Sequence, residues 1–258
     1  MLLEILKDSL RYNFKNVGSI STMGILFLFS FLVLPIILIF GYSYRITEIG
    51  LNGLINTEML ISTDKDLKFN DFKKMFKDGI KTIILVISYL LIPIILSIIF
   101  INNHGFFISN IGSDIMIDLS HEMFLIILVT AFIGFLFINI AIPHMISNKS
   151  LSAGFKIIEL MKIMKSVGII EYILYSFSPI ILLISMSIIS FLLVQFLSSI
   201  LSLILALFQI TTNWSFMGIY YDLIVYGLLM ILIIFPIYQI FQARAIALMY
   251  ETGDISEF

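Results

Sequence analysis

Long unbroken apolar stretches dominate this chain, with short polar or charged segments between them. The stretches cover residues 18–42, 80–101, 123–142, 167–210 and 223–243. Each exceeds the roughly 18 residues that cross about 30 Å of hydrocarbon. In lipid the backbone has no water to bond, so spans are helices or closed barrels. Barrel strands alternate between lipid-facing and inward residues. A run such as ILFLFSFLVLPIILIF does not alternate, so helices are predicted.

Three segments outside these stretches carry a helical period instead. Residues 2–16 place Leu2, Leu3, Ile5, Leu6, Leu10 and Phe14 on one broad face, away from Lys7, Asp8 and Arg11. That pattern suits a helix lying on the membrane surface. Phe69, Phe72, Met75, Phe76 and Ile80 fall at spacings of three and four ahead of the span 80–101. In 148–166, Phe155, Ile158 and Met161 (or Met164) face one way and Lys156, Lys162 and Lys165 another. The 167–210 stretch is twice the length a span needs. It is predicted to be a kinked helix plus a second element, or two helices joined by a turn.

Charge then gives the chain a direction. Residues 45–81 hold Arg45, Lys65, Lys68, Lys73, Lys74, Lys77 and Lys81, and 143–166 hold Lys149, Lys156, Lys162 and Lys165. Residues 102–122 hold neither Lys nor Arg. The positive-inside rule places the first two segments in the cytoplasm and the third outside. Lys7, Arg11 and Lys15 ask for a cytoplasmic N-terminus too, which a single crossing at 18–42 would forbid. A re-entrant pair that turns near Leu34–Pro35 and returns through Gly41–Arg45 removes the conflict. Both termini are then cytoplasmic.

Composition agrees: 60% of the 258 residues are hydrophobic, 12% are charged, and cysteine is absent. Disulfide and thiolate chemistry are thereby excluded. The N-terminus lacks the small-residue cleavage site of a signal peptide. All five prolines (Pro35, Pro93, Pro143, Pro179 and Pro236) lie in or at the end of apolar runs. There they kink or end helices, and neighbouring helices satisfy the freed carbonyls. A basic lead-in followed by Gly, an apolar run and then Pro recurs from Gly18, Gly79 and Gly168.

Four strings, Gly41-Tyr42-Ser43-Tyr44-Arg45, Asn70-Asp71-Phe72, Phe76-Lys77-Asp78-Gly79-Ile80-Lys81 and Leu91-Ile92-Pro93, stand in order along the chain. Ala243-Arg244-Ala245 and Tyr250 follow near its end. Together they resemble an uncharacterised family of archaeal and bacterial multi-pass membrane proteins, domain of unknown function 4013. The family is more distantly similar to the membrane domain attached to some glycerophosphodiester phosphodiesterases. The resemblance implies the architecture and no mechanism.

Candidate chemistry is sparse. Asp114, Asp118, His121 and Glu122 would share one helical face, a donor set that suits a divalent ion. Arg45 and Glu48 sit three apart beside the first apolar stretch, placed for an intramembrane pair or for an anionic head group. Lys73, Lys74 and Lys77 extend that basic surface toward anionic lipid. Glu171 and the uncharged Asn139, Gln195 and Gln209 fit structural roles. The motifs of nucleophilic hydrolases, P-loop proteins and zinc proteases are absent, as is any basic-aromatic surface for nucleic acid.

The expectation is an all-α polytopic membrane bundle forming a single domain over 1–258. It has about six membrane segments, the first two a re-entrant pair, plus basic interfacial helices. No catalytic residue and no cofactor are assigned. The leading function is non-enzymatic: handling a lipid or small solute, or supporting assembly at the membrane with a membrane protein or a second copy. One alternative is an enzyme acting on a lipid head group; another is a partner subunit without ligand. A transporter would link Arg45, Glu48, Asn139 and Gln195 through a polar cavity. An enzyme would converge carboxylates or a histidine at one face. A partner subunit would show a small-residue face such as Ser198, Ser199 and Ser202.

Overall fold

The computed structural model describes residues 2–15, 17–51, 71–104, 121–207 and 214–253. Helix α1 (Leu2–Lys15) precedes a hairpin of α2 (Val17–Leu28) and α3 (Val33–Leu51). The long helices α4 (Phe72–His104) and α5 (His121–Ser147) follow. A 3₁₀ turn (Leu151–Phe155) leads to α6 (Ile157–Val167) and α7 (Ile169–Leu207). The last run is α8 (Trp214–Leu229), a π turn (Met230–Ile234) and α9 (Phe235–Thr252). Among the described residues no strand occurs, and 5 helices are long and apolar enough to cross a membrane. The protein is a polytopic membrane helix bundle.

The first apolar stretch folds back on itself. Its turn is Phe29–Leu32, closed by Ser30 N–H donating to Phe27 O at 3.1 Å and Leu32 N–H to Phe29 O at 3.0 Å. The turn therefore precedes Leu34–Pro35. Pro35 sits in the first turn of α3, where an N–H has no intrahelical partner to lose. At 12 residues, α2 is about 18 Å long, well short of a crossing.

Helix α3 packs antiparallel on α4 with almost no space between the backbones. A Cβ added at Gly41 would fall under 3.0 Å from the Met75 carbonyl, and one at Gly79 under 3.0 Å from the Ile37 carbonyl. Each glycine seats on the residue one turn before the other, a reciprocal contact open only to residues without a side chain.

Prolines and small residues are matched across the fold. Proline carries no N–H, so the carbonyl four residues back loses its usual donor. For Pro179 that carbonyl is Tyr175, and Ser178 Oγ donates to it at 2.7 Å. For Pro93 it is Tyr89, where Gly134 of α5 approaches so closely that a Cβ would stand 2.9 Å from the oxygen. For Pro236 it is Leu232, and Gly24 of α2 lies against it. The π turn just before Pro236 absorbs the remaining mismatch; Phe235 N–H bonds Met230 O.

Relief at Tyr175 also keeps α7 continuous. The predicted division of 167–210 does not occur within Ile169–Leu207, a helix of 39 residues. At 1.5 Å per residue that is about 58 Å.

The amphipathic segments form, and most of the apolar residues that share their predicted faces turn away from the bundle core. In the first four turns of α4 Met75, Asp78, Gly79, Thr82 and Leu85 are buried, while Phe72, Phe76 and Ile80 are exposed. On α6 Leu160, Ile163 and Val167 are buried, while Ile158 and Met161, like Phe155 of the preceding turn, are exposed. In water the greasiest face turns inward. In lipid it can turn outward, which frees the interior for glycine and polar residues. Helix α1 docks on α9 through Ile5, Ser9, Tyr12 and Asn13, so bundle packing adds to the surface role expected of it.

Candidate functional site

One end of the bundle gathers the charges. The antiparallel pairings bring together the C-terminal ends of α3, α5 and α9, the N-terminal end of α4, and helices α1 and α6. At the α3–α4 edge, Arg45 Nη2 donates to the Asp71 carbonyl at 3.3 Å. Lys74 Nζ stands 4.0 Å from a Glu48 carboxylate oxygen. Three of the five predicted residues, Arg45, Glu48 and Lys74, thus meet across one helix pair. Lys73 and Lys77 are exposed on α4, beside the exposed Phe72 and Phe76. One turn deeper, Lys81 Nζ bonds Asp78 Oδ1 at 3.1 Å and lies 5.9 Å from the centre of the Tyr44 ring.

Behind this edge lies a buried polar layer. Arg244 of α9 is 1% exposed. Its Nε donates to Asp8 Oδ2 of α1 at 3.1 Å, and its guanidinium covers the Tyr12 ring at 4.9 Å. Gly50 of α3 lies against Ala247 of α9, where a Cβ would stand 2.5 Å from the Ala247 Cβ. In the same layer Thr47 Oγ1 donates to Ala243 O at 3.2 Å, Gln239 to Ser43 Oγ at 2.9 Å, and Gln242 to Asn139 Oδ1 at 3.4 Å. Asn139 therefore holds α5 to α9. Gln195 is elsewhere, donating to Asp222 of α8 at 3.2 Å. The polar residues expected to line a single cavity are divided among separate helix pairs. Ser199 and Ser202 bond carbonyls of their own helix, at 2.8 Å each.

A second cluster joins α5, α6 and α9. The His144 ring lies between Tyr250 Oη (Nδ1, 2.8 Å) and Glu159 Oε2 (Nε2, 3.2 Å). Lys156 Nζ donates to the other Glu159 oxygen at 2.9 Å. The Lys156 ammonium, and with it the His144 ring, hold the Glu159 carboxyl below the usual glutamate range. A histidine and one carboxylate thus converge at the basic end, with His144 and Tyr250 buried and bonded to each other. Tyr250→Phe is expected to lower stability by about 1–2 kcal/mol, the cost of a buried acceptor left without its donor. Asn148 Nδ2, 3.4 Å from the same nitrogen, limits the loss. The thermal midpoint in detergent checks it.

Asp114 and Asp118 of the predicted metal cluster lie outside the described residues, as do the side chains of His121 and Glu122. Among the described residues no group of three metal-ligating side chains occurs. Asp8, His144, Glu159 and Tyr250 were not singled out as site residues by the sequence. The available signal was a lone arginine among small and apolar residues, Ala243-Arg244-Ala245-Ile246-Ala247, which needs a buried counter-charge.

No curated protein and no solved structure matches the chain. The match that exists, to the family described as Protein of unknown function (DUF4013), spans residues 25–197. It runs from the end of α2 into α7 and includes Gly41, Arg45, Gly79, His144 and Glu159. With well over half of its length matched, the chain belongs to that family of unknown function.

Proposed function

We propose that the protein is a non-enzymatic membrane protein that holds anionic lipid head groups at its basic end, and so handles a lipid or supports assembly at the membrane. One observation carries this reading: on α4 the exposed Lys73 and Lys77 alternate with the exposed Phe72, Phe76 and Ile80, on a helix that continues directly into the apolar span. A lipid bound there meets cations at head-group level and an apolar stripe below. Helix α6 repeats the pairing, with Lys162 and Lys165 beside Ile158 and Met161. Partners on this reading are anionic lipids, with a membrane protein or second copy where assembly is the role.

Each lysine at an anionic surface contributes about 1 kcal/mol. Lys73→Ala with Lys77→Ala is therefore expected to weaken binding of phosphatidylglycerol by roughly thirtyfold. Binding of phosphatidylcholine should be unchanged. Titration of the detergent-solubilised protein followed by native mass spectrometry reads both. Equal loss for the two lipids would sink the head-group reading.

An enzyme acting on a lipid head group is the second reading, favoured by the His144, Glu159 and Tyr250 cluster. Against it, the histidine and tyrosine are buried and already spend their polar groups on each other.

A further inference from the structure

Burial changes abruptly along the last two long helical runs. On α9 every residue from Ala243 to Tyr250 is buried, while on α8 none from Tyr220 to Leu229 is. Helix α7 changes in the same way. Tyr172, Tyr175, Ser176 and Pro179 are buried, and among residues 180–204 only Ser190 and Val194 are. Each run carries a proline where the change falls, Pro179 in α7 and Pro236 at the start of α9.

The two prolines stand level. Helices α7 and α8 are antiparallel, with Ser187 Oγ 2.6 Å from Tyr226 Oη and Gln195 Nε2 3.2 Å from Asp222 Oδ2. Continuing that register past Ser187 brings Pro179 level with the turn around Pro236. Both are weak points in the backbone ladder. Neither proline has an N–H to give the carbonyl four residues back, Tyr175 or Leu232. Just before Pro236 the ladder also slips by one residue, Phe235 N–H bonding Met230 O. Sharp bends in helices collect at prolines and at π turns.

The bundle holds the near side of this level. Phe177 stacks on Phe132 of α5 with ring centres 5.6 Å apart, and Phe27 of α2 meets Phe235 at 5.9 Å. Gly24 lies against the Leu232 carbonyl. On the far side α7 and α8 hold each other, through the two polar ties and through the Phe191 ring set edge-on to Tyr226 at 5.7 Å. Among the described residues, the packed interfaces of α8 are with α7 and with the π turn that continues it. Two packed helices bend as one body when both bend at one level; otherwise the bend in one drags it along the side of the other. Here the two weak points coincide.

We propose that the far limb, residues 180–207 of α7 with Trp214–Leu229 of α8, is a hinged rigid body that swings about Pro179 and the turn from Met230 to Pro236, toward and away from the far halves of α4 and α5. From Pro236 to Trp214 the arm measures about 33 Å. A change of about 20°, the size of a proline kink, carries its end through about 11 Å. The limb contains no lysine or arginine, so the motion stands apart from head-group binding by the lysines of α4.

The chain has no cysteine, so spin labels can be placed in pairs on introduced cysteines. Phe196, Leu223 and Ile98 are all exposed and leave room for a label. Double electron–electron resonance in lipid vesicles reads two distances. Between Phe196→Cys and Leu223→Cys, both on the limb, one narrow distance is expected. Between Ile98→Cys on α4 and Leu223→Cys, a distribution spread over about 11 Å is expected. Pro179→Ala with Pro236→Ala restores both missing N–H groups and should narrow the second distribution and leave the first unchanged. A single narrow distance between α4 and the limb in the wild-type background would overturn the proposal. So would a spread that survives both alanines, which places the bend elsewhere, or a broad distance within the limb, which means that it frays instead of moving as one body. Helical circular dichroism verifies that each labelled variant is folded.

Discussion

Gly79→Ala is expected to destabilise the bundle by about 2 kcal/mol, although alanine is the better helix former. Two effects oppose each other. Replacing a helical glycine gains about 1 kcal/mol of backbone entropy. Against that, the new methyl group would fall inside contact distance of the Ile37 carbonyl and 3.0 Å from the Gly41 nitrogen. Overpacking costs about 1–3 kcal/mol where side chains can shift. Here the obstacle is backbone on both sides, so the cost sits at or above the top of that range and decides the sign. Gly41→Ala meets the Met75 carbonyl in the same way, and the double variant should lose less than the sum, since one separation of α3 from α4 relieves both clashes. Gly227→Ala is the control. Among the described residues nothing lies within 4 Å of a Cβ there, so only the propensity gain remains and the midpoint should hold or rise. Thermal unfolding in detergent, followed by circular dichroism, separates the cases. A Gly79→Ala protein that melts with the wild type would rule out the backbone contact.

The glycine contact also shows what was legible in the sequence. Gly41 and Gly79 stand in the two strings that most resemble the family, yet spacing alone does not reveal that each seats on the other's helix. The apolar lengths and the charge conflict at 18–42 did predict a hairpin there, because those properties follow from the bilayer. Which face of α4 or α6 turns inward was not legible from amphipathicity. Phe72, Phe76 and Ile158 gain as much from lipid as from a protein core, so the hydrophobic effect no longer sorts inside from outside. The prolines show the same limit. Pro179 looked like a break, and a neighbouring serine keeps the helix whole. Partners such as Gly24 for Pro236 are distant in sequence and appear only with the fold.

Asp8→Ala is expected to be more damaging than Arg244→Met, although both delete the same ion pair. The asymmetry follows from burial. Arg244 is 1% exposed and its guanidinium keeps its charge at any accessible pH. Without Asp8 that charge remains among apolar helices with only the Tyr12 ring against it, and its Nη1 already has no hydrogen-bond partner among the described residues. Removing one partner of a buried pair costs about 3–5 kcal/mol. With Arg244→Met, by contrast, the stranded group is the Asp8 side chain, which is 30% exposed and can recover water. Methionine also keeps most of the buried volume. Its cost should be smaller by about 1–2 kcal/mol, the part of the desolvation penalty that hydration returns. Combining Asp8→Ala with Arg244→Met removes both charges and should restore much of what Asp8→Ala alone loses, as buried pairs replaced by apolar groups often do. Two readouts check this: the thermal midpoint, and the rate at which trypsin cuts after Lys7 and Arg11, since α1 is held to α9 through this pair. Equal losses for the two single variants, or a double variant worse than either, would mean that the pair does not set the docking of α1. A fast trypsin cut confined to Asp8→Ala would tie the buried charge of α9 directly to the position of the first helix.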